Sequence, residues 1–229
     1  MKIMKTHGTV YKLLVILVSA SLLLVSVSFA LNRKYEAYSD TLTKKPYYDG
    51  VKSTIDHVDP PVNTMATAAW CGIDNAKTGG KWMWIQLGWA KFKDDTAKIY
   101  WEYTPETGSA GYARGFIGAP AASETYQVSH EGANAEWKHG VISYKTVAWT
   151  NFDAKNFCKA QYGAEMLDDP DDHTPGKATN KNKFASTQVR KVAGAFAAAP
   201  LATETDQAAN GEIEKYTGAG NFRIWDSRD

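Results

Sequence analysis

The chain has 229 residues, 12% of them aromatic and 22% charged, and its 26 basic against 25 acidic side chains give a formal net charge of +1. A protein that tracks a phosphate backbone needs a basic stripe, and none is visible, so nucleic acid is not an expected partner. The length suits one well-buried core, and nothing in the composition asks for more than one globular domain.

The first thirty residues differ from the rest. Lys2, Lys5 and Lys12 precede Leu13 to Ala30, a run that is apolar or small with only serines as polar members and that ends in Ser28-Phe29-Ala30. Residues 1–30 read as a signal peptide. An uncleaved anchor is the alternative, because the run approaches the ~20 residues that cross a bilayer; the serines and the small-x-small ending favour cleavage. Cleavage removes three lysines and no acid, which leaves 23 basic against 25 acidic side chains. The expected product is an extracellular monomer with no stable membrane association.

Residues 31–66 hold Lys44-Lys45-Pro46 and Asp59-Pro60-Pro61 with little hydrophobic periodicity, and read as an extended lead-in, either linker or propeptide. From Thr67 the chain turns to short runs rich in Trp, Tyr, Val, Ile and Thr, divided by Gly, Pro, Asn and Asp. Strands are predicted near 67–74, 81–90, 97–104, 112–118, 124–130, 137–149, 157–167, 183–190 and 221–226, with a short helical possibility at Asp153 to Cys158. Residues 67–229 are thus expected to form an all-β, two-sheet antiparallel β-sandwich of jelly-roll type.

Cys71 and Cys158 are the only cysteines. An even count in an exported chain favours a disulfide, with two buried thiols as the alternative. His57, His130, His139 and His173 show no ligand spacing, so neither a transition metal nor another cofactor is expected. Asp168, Asp169, Asp171 and Asp172 offer hard oxygen donors for calcium, but their spacing fits no EF-hand loop and a solvated turn around Pro170 is preferred.

Successive strand residues point to opposite faces. Trp82, Trp84 and Gln86 therefore share one face, with Met83, Ile85 and Leu87 behind them; Tyr100, Glu102 and Thr104 share another, opposite Ile99, Trp101 and Tyr103. A carboxylate avoids unpaired burial, so Glu102 marks the open or functional face. The tryptophans admit two readings, core or groove wall on one side and ligand platform on the other.

Trp70-Cys71-Gly72-Ile73-Asp74, Trp84-Ile85-Gln86-Leu87-Gly88 and Tyr100-Trp101-Glu102-Tyr103-Thr104-Pro105 stand in an order and spacing that resembles the glutamic peptidases, the eqolisin family. The family pattern reads Trp-Val-Gly-Ile-Asp, then a Gln before a small residue and Gly, then Trp-Tyr-Glu-Trp-Tyr-Pro. The resemblance covers Thr67 to Pro105 well and the remainder loosely. It implies two curved antiparallel sheets, a substrate groove on the concave one, Gln86 as the catalytic amide, and Trp70, Asp74 and Glu102 lining the groove. A glutamate in that family activates water as general base while the glutamine holds the water and donates to the oxyanion, a division of labour that fits the chemistry of both groups.

The literal Ala-Glu-Trp of the family's catalytic strand recurs at Ala135-Glu136-Trp137, but too few strands beyond Pro105. Glu165 stands near the family's distance and is followed by an acidic loop with Pro175-Gly176, so Glu165 is preferred over Glu136 as the base. Departures from the pattern include Cys71 for valine, Tyr100 where tryptophan is usual, and the absence of Ile-Val after the catalytic Glu-Trp. If Trp70 and Glu165 both face the groove, Cys71 and Cys158 both face away from it and can pair, unless a bulge at Gly163 changes the parity. Such a bond would add ~4 kcal/mol by the chain-entropy argument.

Two functions are consistent with these residues. One is a secreted acid endopeptidase with a polypeptide substrate bound along Trp70, Asp74, Trp82, Trp84, Tyr100 and Glu102. The other is a non-catalytic jelly-roll module that binds peptide or glycan. A retaining glucanase is disfavoured, since no Glu-x-Asp-x-x-Glu sets two carboxylates on one strand face.

Overall fold

The computed structural model describes residues 33–41, 47–63, 65–75, 83–105, 112–152, 157, 159–167, 172–192, 194–206, 210–218 and 220–228; at 33–41, 151, 167 and 202–206 it describes the backbone alone. The strands, in chain order, are β1 (Arg33–Thr41), β2 (Tyr48–Asp56), β3 (Ala66–Asp74), β4 (Trp84–Phe92), β5 (Lys98–Thr104), β6 (Ala113–Phe116), β7 (Ser123–Glu131) and β8 (Asn134–His139). They continue with β9 (Ile142–Ala148), β10 (Lys159–Leu167), β11 (Gly176–Lys177), β12 (Asn180–Lys191), β13 (Phe196–Ala198), β14 (Ala202–Asp206), β15 (Gly211–Lys215) and β16 (Phe222–Asp226).

One sheet has the order β14-β1-β10-β3-β4-β5-β6, and the other β15-β16-β11-β12-β2-β7-β8-β9 with β13 beside β12. The pairings are antiparallel apart from a short parallel contact between β11 and β16. The chain is an all-β sandwich of jelly-roll type.

Period-two alternation builds the core. Ala69, Cys71 and Ile73 of β3 and Ile85, Leu87 and Trp89 of β4 turn inward, where they meet Val51 and Ile55 of β2, Tyr126 and Val128 of β7, and Trp137 of β8. Trp137 is fully buried, its indole N–H donates to the Gln86 carbonyl at 3.0 Å, and its ring packs on Trp101 and Tyr103. A tryptophan is thus buried with its polar atom satisfied, and that bond ties the second sheet to the backbone of β4.

Several expectations are corrected. Residues 31–66 are not simply a lead-in: β1 and β2 lie within them, and β2 is an interior strand between β12 and β7. The single strand expected at 137–149 is a hairpin, β8 and β9, reversed at Gly140, whose φ of +58° suits glycine. Strands β11, β13, β14 and β15 were not foreseen. Cys71 carries a free, fully buried thiol that donates to the Tyr126 carbonyl, so the expected disulfide is not formed; Cys158 lies outside the described residues. Burial pushes the Cys71 thiol far above its ordinary range, which suits a packed, unreactive side chain.

The helical possibility at 153–158 and the signal peptide fall almost wholly outside the described residues, as do Trp82, Asp168, Asp169 and Asp171. Asp172 is neither solvated nor a member of a metal cluster among the described residues: it is fully buried and accepts the backbone N–H groups of Asn63 at 2.7 Å and Met65 at 2.9 Å.

The C-terminal end is held by a second buried carboxylate. Asp226 accepts from the Arg228 guanidinium, the Arg228 backbone N–H and the Thr174 backbone N–H. Burial alone would raise its pKa, but these donors hold it below the ordinary carboxylate value of 3.8. A depressed folded-state pKa contributes stability that is complete above the unfolded value and is lost as pH falls through the folded one. Asp226→Asn is therefore expected to lower Tm by several degrees at pH 7, with the gap to the parent closing below about pH 3.8; thermal melts across pH 2–7 measure it.

Candidate functional site

The outer face of the first sheet carries the residues singled out above. The strand registers set them in rows: Gln161 of β10 pairs with Gly72 of β3, Gly72 with Gln86 of β4, Gln86 with Glu102 of β5, and Glu102 with Arg114 of β6. A neighbouring row holds Lys159, Asp74, Trp84 and Thr104, and the row on the other side Gly163, Trp70, Gly88, Tyr100 and Phe116. Trp70, Asp74, Trp84, Gln86, Tyr100 and Glu102 thus lie in three adjacent rows of this face.

The polar atoms are joined in an ordered set. Glu102, fully buried, accepts from the Trp84 indole N–H and the Tyr112 hydroxyl, each at 3.0 Å. Gln86 donates one amide hydrogen to the Tyr100 hydroxyl at 3.0 Å; its amide oxygen and remaining N–H have no partner among the described residues. The donor and acceptor pattern around Gln161 orients its amide so that the nitrogen donates to Asp74 Oδ2 at 2.6 Å and the oxygen accepts from Lys159 Nζ at 3.1 Å. Burial of these charged groups is tolerated because each has hydrogen-bond partners.

Gly72 makes the row possible. A Cβ there would lie 2.7 Å from the Ile85 carbonyl oxygen and 2.8 Å from Gln86 Cβ, so a bare backbone separates the two amides. Gly72→Ala is expected to displace Gln86, destabilise the domain by about 1–3 kcal/mol through overpacking, and abolish whatever the amide binds; urea titration and a binding assay test it together.

The register corrects the expected dyad. Glu165 does face the same side as Gln86, but it stands in the row of Ala68 and Ala90, two strands and four residues away. Strand spacing and rise put the two Cα atoms about 16 Å apart, too far to share one water. Gln161, two strands across in Gln86's own row, is about 10 Å away by the same geometry. Glu136 is on β8 of the second sheet, where its neighbours Ala135 and Trp137 face the core, and it forms an ion pair with Lys138 at 2.8 Å. It has no place in this site.

On β10, beside β3, the residue level with Gly72 and Gln86 is therefore Gln161, an amide, and no carboxylate of β10 stands in that row. Tyr112 could not have been foreseen, since its bond to Glu102 exists only once the β5–β6 hairpin closes.

A two-sheet jelly roll with an amide and buried carboxylates set among aromatic rings on one outer face defines the class. No family model matches the chain, and no curated protein matches it. Among solved structures it is similar to Scytalido-glutamic peptidase bound to a peptide-based transition-state analogue, with a TM-score of 0.56 and 11% identity over 84% of this chain and 98% of that one. It is also similar to SCP-B, a member of the eqolisin family in complex with the tripeptide Ala-Ile-His, with a TM-score of 0.53, 11% identity and the same coverage. At that identity the likeness establishes a shared fold.

Proposed function

We propose that the protein is a secreted, monomeric polypeptide-binding module with the glutamic-peptidase fold, in which an amide stands where a water-activating carboxylate would be needed. The observation that carries this reading is the row Gln161–Gly72–Gln86–Glu102. Hydrolysis requires a base within reach of a water that the amide also holds. Gln161 cannot take a proton, Asp74 is engaged by Gln161, Glu102 is buried between two donors, and Glu165 is remote. What Gln86 keeps is one N–H and one carbonyl oxygen, a match for the acceptor and donor of a peptide group.

Peptide is favoured over glycan by the groups that Gln86 keeps, one N–H and one carbonyl oxygen, which pair with a peptide unit's own acceptor and donor. The peptide-based analogue and the tripeptide held by the two similar structures support the same choice.

The test uses residues 31–229 with denatured, labelled protein across pH 2–7, beside Gln86→Ala and Glu165→Gln. The expected result is binding without fragments, with affinity falling about tenfold in Gln86→Ala, as loss of one buried hydrogen bond implies, and unchanged in Glu165→Gln. Cleavage by the parent that both variants lose would overturn this reading and reinstate the dyad.

A further inference from the structure

Away from the polar row, a cleft of about 620 Å³ opens where residues 58–61 meet the end of β4 and the β11–β12 turn. One wall is apolar and stiff, made by Val58, Pro60 and Pro61; the other carries Lys91, Lys177 and Asn180. Lys177 and Asn180 are direct register partners across a two-residue turn, so their side chains leave the same face side by side. Both are exposed, and neither has a side-chain partner among the described residues.

Lys91 is different: its ammonium group is fixed by Asp59 at 2.7 Å and by the Pro60 carbonyl at 3.1 Å. An ammonium has three donors, so one N–H remains. Two ammonium groups and an amide thus surround a space containing one carboxylate, that of Asp59, and the surplus is positive.

We propose that this cleft is a second binding site, separate from the polar row, for a carboxylate-bearing peptide segment. The carboxylate accepts from Lys177, Asn180 and the remaining Lys91 N–H, and the aliphatic part of the segment lies on the ledge formed by Val58 and the exposed Pro61. Charge-assisted bonds from two ammonium groups give the recognition, and Pro61 gives an apolar surface that loses no conformational freedom on binding.

The experiment measures fluorescence anisotropy of rhodamine-labelled tetraglutamate with an amidated C-terminus, against tetraglutamine in amidated and free-carboxylate forms. The expected result is binding of amidated tetraglutamate that weakens with salt and falls at least tenfold in the double variant Lys177→Ala/Asn180→Ala, while Lys138→Ala, on β8, four strands from β11 in the same sheet, changes nothing. Binding only of tetraglutamine with a free C-terminus, lost in the same double variant, would identify the ligand as a terminal rather than a side-chain carboxylate. The proposal is overturned if amidated tetraglutamine binds as well as tetraglutamate, if no probe binds, or if the double variant keeps the parental affinity. Both substituted positions are exposed in a turn, so circular dichroism of the variant is expected to match the parent.

Discussion

Gln161→Glu is expected to give slow, acid-dependent cleavage of denatured protein where the parent gives none. The substitution sets a carboxylate in Gln86's row, across the bare backbone of Gly72, with Lys159 at one side and Asp74 at the other. The Asp74 oxygen lies 2.6 Å from the present amide nitrogen, and two carboxylates at that range cannot both be ionised, so the pair holds one proton. At neutral pH the variant therefore pays an electrostatic penalty and melts below the parent; in acid the penalty disappears. A base correctly placed beside a donor is worth on the order of 10²–10⁴ in rate, and fragment release against pH reads it. Adding Gln86→Ala is expected to remove the gain. A folded Gln161→Glu protein that cleaves nothing at pH 3–4 would show that the missing carboxylate is not what prevents hydrolysis.

Why this position escaped the sequence reading is a matter of register. The pairing of β3, β4 and β5 was legible, because alternation put Trp84 with Gln86 and Tyr100 with Glu102, and each strand sits next to its chain neighbour. β10 reaches β3 only through a long connection, and no local pattern says whether Gln161 or Glu165 will stand opposite Gly72; a tertiary pairing decides it. Ala135-Glu136-Trp137 failed for the converse reason. The letters fit, but they belong to β8 in the other sheet, where alternation turns Glu136 outward.

β2 is hidden in the sequence because few apolar residues carry its alternation: burial alternates from Val51 to Asp56, but the middle inward position is the polar Ser53. Its first four residues are all buried, Asp49 among them, and the Asp49 carboxylate is held by the Arg190 side chain at 2.7 Å, a partner 141 residues away. Gly50 next to it adds no side chain. The inward residues Tyr48, Val51 and Ile55 then stand at intervals of three and four, which in a sequence hides the strand.

A chain that begins at Thr67 is accordingly expected not to fold. Losing β2 removes the strand between β12 and β7 and exposes two new sheet edges in the middle of the second sheet. Tyr48, Val51 and Ile55 are all 0% exposed, and burial of side chains of this size contributes about 1.5–3 kcal/mol each. Their sum is comparable with the whole stability of a domain, about 5–15 kcal/mol, before the lost ladder bonds are counted. The shortened protein should show no cooperative thermal transition, tryptophan emission shifted toward that of the unfolded chain, and a tendency to aggregate through its open edges, whereas residues 31–229 should melt cooperatively. A folded 67–229 fragment with a sharp transition would mean that the second sheet closes without its interior strand, and the segment before Thr67 would then be a removable propeptide after all.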